Sequence, residues 1–352
     1  MELGGDYNIN VGELVEASNS IFDYLASFNT KYFDSGRSAL KELLASLKQG
    51  VVLLPEFICT SVIDCFPHSS LRFYSITEDF QIDLHDLQSK VDANVSLVYV
   101  MHYFGCVQNA ETLSYLRGLR ENEDVQIIED TTHSIFSSAH TVGDYCIASL
   151  RKWFPIPNGG VLYSRNKLPF SDVSIPKSIK NERFIAMILK TLFLNGTLDC
   201  NKEYREIFSN CEKELDRQKG IFSMSYLAEF LVGCFDIDEL KQKRRRNYQF
   251  LKHKLLELGI RPACEIFISD CPFVLPIFVS NRDSLRQYMA DNRIYCAVHW
   301  PFDGINLSER QHAKRLSEKL ISLPIDQRYD LDAMQYMVDV LQRYRGNLKF
   351  SK

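Results

Sequence analysis

The chain has 352 residues, more than one hydrophobic core usually organises, so two domains are expected. Hydrophobic residues make up 45% and charged residues 24%, with a net charge of −4, which is the balance of a soluble globular protein and the wrong sign for a nucleic-acid surface. The ten cysteines are scattered, with no Cys-x-x-Cys pair and no histidine spacing of a zinc site, which excludes a metal-ligand framework and fits a reducing cytoplasm.

Residues Met1 to Asn10 lack a basic and apolar leader, and the run Met187 to Leu194 is too short to span a bilayer, so neither secretion nor membrane insertion is expected. Val11 to Phe28 carry apolar side chains at helical spacing and predict a leading helix that ends near Tyr32-Phe33-Asp34. Ser35-Gly36-Arg37-Ser38 then opens a second helix, predicted to reach about Lys48. A small-residue turn feeding a helix N-terminus offers N–H groups and the positive end of the dipole to an anion, and Arg37 adds charge; helix capping alone also accounts for a Ser-Gly start.

Strands are predicted over Val51 to Leu54, Leu71 to Tyr74, Ser96 to Met101 and Val125 to Ile128, with helices over Thr60 to Phe66, Ile82 to Lys90 and Ala110 to Arg120 between them. The third of these strands ends in His102-Tyr103-Phe104-Gly105 and the fourth in Glu129-Asp130-Thr131-Thr132-His133. Another strand, Tyr145 to Ala148, leads into Ser149-Leu150-Arg151-Lys152, a rigid turn at Pro155 and Pro157, and an apolar run after Gly159-Gly160. Strands alternating with helices at this pitch predict an α/β fold with an open, mostly parallel sheet. From Ser164 to Lys219 the chain is polar, then rich in Lys and Glu, and offers no site. Helices follow over Ser223 to Phe235 and Ile237 to Leu258, the second carrying the basic run Lys241 to Arg246, read as a solvated helix face. Beyond Gly259 the pattern becomes strand Phe273 to Val279, helix Ser284 to Asn292, strand Tyr295 to Val298, helix Ser308 to Leu320 and helix Leu331 to Tyr344. This predicts a large domain with its N-terminal arm over residues 1–236, and a connecting helix with a smaller α+β domain over 237–352.

In open parallel sheets a ligand sits beyond the carboxyl ends of the strands, which is where His102, Asp130, His133 and Lys152 fall. Lys152 is followed by Trp153 and Phe154, two rings expected to wall its amine off from water. A desolvated amine is a nucleophile, whereas the alternative is a snorkelling lysine beside a structural turn. Ser149 can offer its hydroxyl to a phosphate. Together these groups suit pyridoxal 5′-phosphate (PLP), which needs a lysine to hold it, an acid to keep its pyridine nitrogen protonated, and N–H and hydroxyl donors for its phosphate. Asp130 is the candidate acid, with a capping or salt-bridge role as the alternative.

The succession Tyr32-Phe-Asp-Ser-Gly-Arg-Ser-Ala-Leu40, Leu54-Pro-Glu-Phe-Ile-Cys59, His102-Tyr-Phe-Gly105, Ile128-Glu-Asp-Thr-Thr-His133, Gly143-Asp144, Ser149-Leu-Arg-Lys152 and Gly159-Gly160 resembles the DegT/DnrJ/EryC1/StrS family of sugar aminotransferases over most of the chain. Ser223-Met224-Ser225 is similar to the family's segment before the long helix, and Leu323-Pro-Ile-Asp326 to its C-terminal strand. The resemblance implies a fold-type-I PLP enzyme, with a three-layer large domain, a smaller C-terminal domain, and a homodimer whose active sites lie at the subunit interface. Carried over by position, it implies that Lys152 holds the cofactor and moves the proton, that Asp130 pairs with the pyridine nitrogen, and that Ser149, Gly36 and Arg37 bind the phosphate. His133 stands where the family usually has a glutamine near the cofactor's phenolic oxygen; the family's ring-stacking aromatic falls on Cys59, with Phe57 two positions earlier, so either Phe57 covers the cofactor ring or stacking is lost. His102, Tyr103 and His299 are the candidate substrate-facing residues. Two departures stand out: Ser149 precedes the lysine by three residues where the family has five, and His299-Trp300-Pro301 differs from the family's histidine segment.

The activity so implied is transfer of an amino group from an amino acid such as glutamate to a keto-sugar, linked to a nucleotide, in the synthesis of surface polysaccharide or lipopolysaccharide. The alternatives are a PLP enzyme acting on a non-sugar ketone, a dehydratase-type relative, against which Lys152 counts because those enzymes lack the lysine, and a PLP-free binding homologue.

Overall fold

A computed structural model of the chain describes residues 2–122, 124–138, 140–169, 175–302 and 309–347. In chain order its strands are β1 (Leu3–Gly4), β2 (Asn29–Phe33), β3 (Val51–Pro55), β4 (Leu71–Tyr74), β5 (Val95–Met101), β6 (Gln126–Asp130), β7 (Tyr145–Ala148), β8 (Gly160–Ser164), β9 (Leu275–Phe278), β10 (Ile294–Tyr295) and β11 (Leu320–Leu323). Seven of them form one sheet in the order β2-β8-β7-β6-β5-β3-β4. The β3/β4, β3/β5 and β5/β6 pairs are parallel, while β8 runs antiparallel to both β2 and β7. The fold is therefore α/β with a mixed, mostly parallel sheet. Val95–Met101 is buried at every residue, as expected of a strand covered on both faces.

The chain forms two compact units that are not consecutive in sequence: residues 1–5, 49–143 and 241–352 make the first, and 6–48 with 144–240 the second.

The first unit holds β3 to β6 with the helices Thr60–Ile63, Leu84–Lys90 and Ala110–Asn122, followed by antiparallel β9 and β11 and the helices Arg282–Asp291, Gln311–Lys319 and Leu331–Tyr344. Ser308, expected to open one of these helices, lies outside the described residues. The last helix shows how sequence becomes packing. Asp330 caps it by accepting from the Ala333 N–H, and Met334, Met337, Val338 and Leu341 form its buried stripe. The run Lys241 to Arg246 departs from the solvated face expected of it. Arg244 is fully buried, and its guanidinium donates to the Phe273 carbonyl at 2.8 Å and to Gln327 Oε1 at 2.8 Å. Arg245 donates to the Asp270 carbonyl at 2.8 Å, while Arg246 is exposed. A planar fork of five donors can saturate several loop carbonyls at once, which makes a buried arginine tolerable here.

The second unit holds β2, β7 and β8 with the helices Gly36–Leu44, Glu182–Leu194, Asn201–Arg217 and Tyr226–Val232. The leading helix expected over 11–28 is absent: a 3₁₀ turn at Val11–Glu13 and a one-turn helix at Ile21–Tyr24 replace it, and β2 follows. Ser20 and Asp23 form a capping box that starts the short helix afresh, so the apolar period before it does not propagate. The bend into the Gly36 helix depends on Gly160, because a Cβ there would lie 2.2 Å from the Ser35 carbonyl carbon. The segment Ser223–Ser225 also has work within its own unit: Ser225 caps the helix Tyr226–Val232 and takes a hydrogen bond from Asn158 Nδ2, and Met224 is fully buried. Among the described residues no helix is long and apolar enough to cross a membrane.

Candidate active site

The β5/β6 register pairs Tyr99 with Ile128, Val100 with Glu129 and Met101 with Asp130, so alternation sends Asp130 and Tyr99 to one face of the sheet and Glu129 to the other. Asp130 is 5% exposed. Its Oδ1 accepts from the Thr132 N–H at 2.9 Å and its Oδ2 from the Tyr99 hydroxyl at 2.8 Å. Burial raises its pKa above the ordinary aspartate value, against these donors. The Thr132 side chain is a third donor, and a carboxylate with about four lone-pair sites still has capacity for another at this strand's carboxyl end.

On the opposite face His102 Nδ1 accepts from the Gln108 N–H at 3.1 Å, and its Nε2 lies 3.6 Å from Glu129 Oε1, with both side chains fully buried. Glu129 also takes the N–H groups of Thr141 and Val142 at 2.9 Å and the Thr141 hydroxyl. Burial pushes the Glu129 carboxyl up, but His102 and Thr141 outweigh it and hold the group far below the usual range. This pair ties the loop after β6 to the sheet, so His102 is a structural side chain and does not face substrate as expected.

Two further expectations change in the same way. Tyr103 is buried and its hydroxyl donates to the Phe57 carbonyl at 2.6 Å. His299 is buried with Nδ1 2.8 Å from Ser322 Oγ, its ring edge-on to His133 at 5.1 Å. Neither is presented to a substrate. His133 itself is stacked on Phe273 at 4.2 Å and on Trp300 at 5.6 Å, with interplanar angles of 17° and 16°. Phe57 is fully buried among Phe80, Tyr103 and Trp300, while Cys59 is half-buried with its Sγ 3.1 Å from Ser61 Oγ. Sequence reasoning overlooked Trp300, the ring that touches both Phe57 and His133. It also overlooked Arg310, whose guanidinium donates to the carbonyls of Glu56 at 2.7 Å and Ile58 at 3.0 Å and so pins the turn carrying Phe57 and Cys59.

In the second unit, Ser149 leads into the 3₁₀ turn Leu150–Lys152. Leu150, Trp153 and Phe154 are fully buried, whereas Lys152 is exposed. The two rings thus turn into the core and do not wall off the amine, because a tight turn aims successive side chains in different directions. Ser149 does meet the helix start: a Cβ on Gly36 would lie 3.5 Å from the Ser149 Cβ. Ser35 Oγ caps this helix by accepting from the Ser38 N–H, and Gly36 and Arg37 form its first turn, whose N–H groups have no intrahelical acceptor. The Arg37 guanidinium is paired with Asp216 at 2.8 Å, so what Arg37 offers an anion is its backbone N–H and not an uncompensated charge. A polar cleft in this unit is lined by Asp34, Arg151, Asn158, Lys180 and Arg183, with Arg151 paired to Glu212 and Arg183 to Asp6 and Glu212.

No protein-family model and no curated protein matches the sequence. Solved structures do match. A DegT DnrJ EryC1 StrS aminotransferase from Brucella abortus aligns with a TM-score of 0.65 and 14% identity, over 93% of this chain and 88% of that one. NtdA from Bacillus subtilis, with bound cofactor PMP, gives 0.66 and 14%, over 93% and 75%. DesV from S. venezuelae, in complex with a ketimine intermediate, gives 0.62 and 13%, over 92% and 87%. Over nearly its whole length the chain therefore has the fold of the DegT/DnrJ/EryC1/StrS sugar aminotransferase structures, at identities that speak for the fold alone.

Proposed function

We propose that the chain is a cytoplasmic PLP-dependent aminotransferase that moves an amino group from an amino acid such as glutamate to a nucleotide-linked keto-sugar, in surface polysaccharide synthesis. Asp130 carries the reading: a buried carboxyl at a strand's carboxyl end, held by the N–H and hydroxyl of Thr132 and by the Tyr99 hydroxyl and with lone-pair capacity for one more donor, is the group a protonated pyridine nitrogen needs. The PMP of NtdA supports the cofactor class, and a matching structure described as a putative sugar aminotransferase from Streptococcus pneumoniae, in its PLP form, supports the sugar.

When bound, PLP supplies the carbonyl that takes up the amino group and the ring that stores its electrons. Asp130 would hold the proton on the ring nitrogen. Ser149 Oγ and the N–H groups of Gly36 and Arg37 would bind the phosphate. Lys152 would hold the cofactor and move a proton at the reacting carbon, and His133 is the donor assigned to the phenolic oxygen. The test is direct: purified protein should take up PLP with a visible absorbance, glutamate should convert it stoichiometrically to the amine form, and a panel of nucleotide-linked keto-sugars should reverse this. A colourless protein that retains no PLP would defeat the cofactor reading, and uptake without conversion by any amino acid would defeat amino transfer.

The same proposal includes a homodimer. In the second unit Tyr226 and Phe230, one turn apart, are 76% and 65% exposed, and Phe22 is 36% exposed beside Gly233 of the same helix end. Lys177 covers part of the Tyr226 ring at 4.3 Å, and the rest of this exposed aromatic face suits a second copy. Sedimentation of the cofactor-loaded protein at micromolar concentration should give twice the chain mass; an active, loaded monomer would remove this part of the proposal.

A further inference from the structure

We infer that Tyr99 is a positioning residue that fixes the Asp130 carboxylate for a protonated ring nitrogen, an inference that rests on the PLP reading above. The geometry is that of a clamp. Thr132 holds one oxygen through a backbone N–H at 2.9 Å and Tyr99 holds the other through its hydroxyl at 2.8 Å, so the plane of the carboxylate is set from both sides. The clamp is itself anchored. The Tyr74 hydroxyl donates to the Tyr99 carbonyl at 2.7 Å, and Phe66 packs edge-on to the Tyr99 ring at 6.0 Å.

Core packing alone does not call for this hydroxyl. The other residues of β5 on this face, Val95, Leu97 and Met101, are apolar, and all four side chains are buried. A phenylalanine would fill the position, whereas a buried phenol needs an acceptor. Burial, with Asp130 beside it, holds the Tyr99 hydroxyl well above its ordinary pKa, so it remains a donor throughout the working range. The other ionisable groups that act on this pair are His102, which favours the charged carboxylate from the opposite face of the sheet, Tyr103, and the thiols Cys59 and Cys65 on the Tyr99 side. Among these ionisable groups, Tyr99 alone donates a hydrogen bond to the carboxylate, alongside the N–H and side chain of Thr132.

Removing the hydroxyl therefore makes Asp130 harder to ionise, and a ring nitrogen that must be met as an ion pair is bound less well wherever the carboxyl is protonated. The experiment is the dissociation constant of pyridoxamine 5′-phosphate, which needs no covalent bond to a lysine, measured from acid to alkaline pH in wild type, Tyr99→Phe, Asp130→Asn and the double variant. Tyr99→Phe should move the midpoint of the affinity profile up by about one pH unit, with binding roughly tenfold weaker on the acid limb and unchanged at the alkaline end. Asp130→Asn should flatten the profile, and Tyr99→Phe added to it should change binding by less than about twofold. A Tyr99→Phe profile that superimposes on the wild-type profile overturns the inference and leaves the PLP reading standing. Equal weakening in the Asp130→Asn background overturns it also, since it would show a packing effect that does not pass through Asp130. Wild-type protein that binds neither form of the cofactor removes the PLP reading and this inference with it.

Discussion

Replacing Lys152 with alanine is expected to lower amino transfer by about 10³-fold or more and to end covalent retention of the cofactor. The amine is asked to do two things, to hold the cofactor and to carry a proton between two carbons, and a methyl group can do neither. Lys152 sits one turn beyond Ser149, which itself meets the first turn of the Gly36 helix, so the amine is tethered near the proposed phosphate donors by two short, rigid elements. Its exposure matters to the experiment. The side chain is not needed for the core, in which Leu150, Trp153 and Phe154 are the buried members of the turn, so Lys152→Ala should fold and melt like wild type. Loss of activity in a protein of unchanged stability would isolate chemistry from folding. Borohydride treatment of PLP-loaded wild type, followed by peptide mass, should place the added cofactor mass on Lys152; its appearance on another lysine, or full activity of Lys152→Ala, would show that the assignment is wrong. Lys152→Arg should be as inactive as the alanine variant, because a guanidinium stays protonated and cannot attack a carbonyl.

Asp130→Asn is expected to keep bound cofactor while slowing the half-reaction with glutamate by about 10²-fold or more. The amide matches the carboxylate in shape, and the surrounding donors set what it can do. Thr132 offers a fixed N–H to one side, which requires the amide oxygen there. The amide nitrogen then faces Tyr99, whose hydroxyl can turn and accept. The side chain is therefore accommodated, and a neutral group that burial does not penalise takes the place of a carboxyl that burial pushes upward. Stability should hold or rise slightly. What is lost is the negative charge that keeps a ring nitrogen protonated, so binding survives and the electron sink weakens. Single-turnover absorbance with glutamate reads this directly. A rate within a few fold of wild type would return Asp130 to a structural role, as a clamp between β5, β6 and the loop at Thr132.

These two residues also mark where sequence reasoning reached and where it stopped. The strands β3 to β8 lie within a residue or two of their expected places, since buried strands are written as short apolar runs. Leu71–Tyr74, Tyr145–Ala148 and Leu331–Tyr344 were expected with the bounds they have. Asp130 was legible as a side chain at a strand end because alternation along one strand is a local property. Whether such a side chain is clamped, exposed or merged into the core is not local. Glu129 and Asp130 are neighbours, yet one is locked to His102 and the other to Tyr99, because the register with β5 assigns them to opposite faces. β2 follows directly on the expected leading helix and was not read as a strand, since its pairing with β8 supplies hydrogen bonds that no local pattern encodes.

The remaining differences have one cause. Arg244 reads as a surface charge until carbonyls from the loops at Pro272–Phe273 and the side chain of Gln327 close around it, and Arg310 reaches back 254 residues to Glu56. Lys152 reads as shielded by Trp153 and Phe154, yet a 3₁₀ turn sends the rings inward and the amine outward. By itself the sequence determined where strands β3 to β8 lie and which residue types stand at their ends, since period and turns act over a few residues. The tertiary structure alone decided which of those residues keep their polar atoms available. That depends on the donors and acceptors brought up from distant segments, and a buried polar group takes whichever partner the fold supplies.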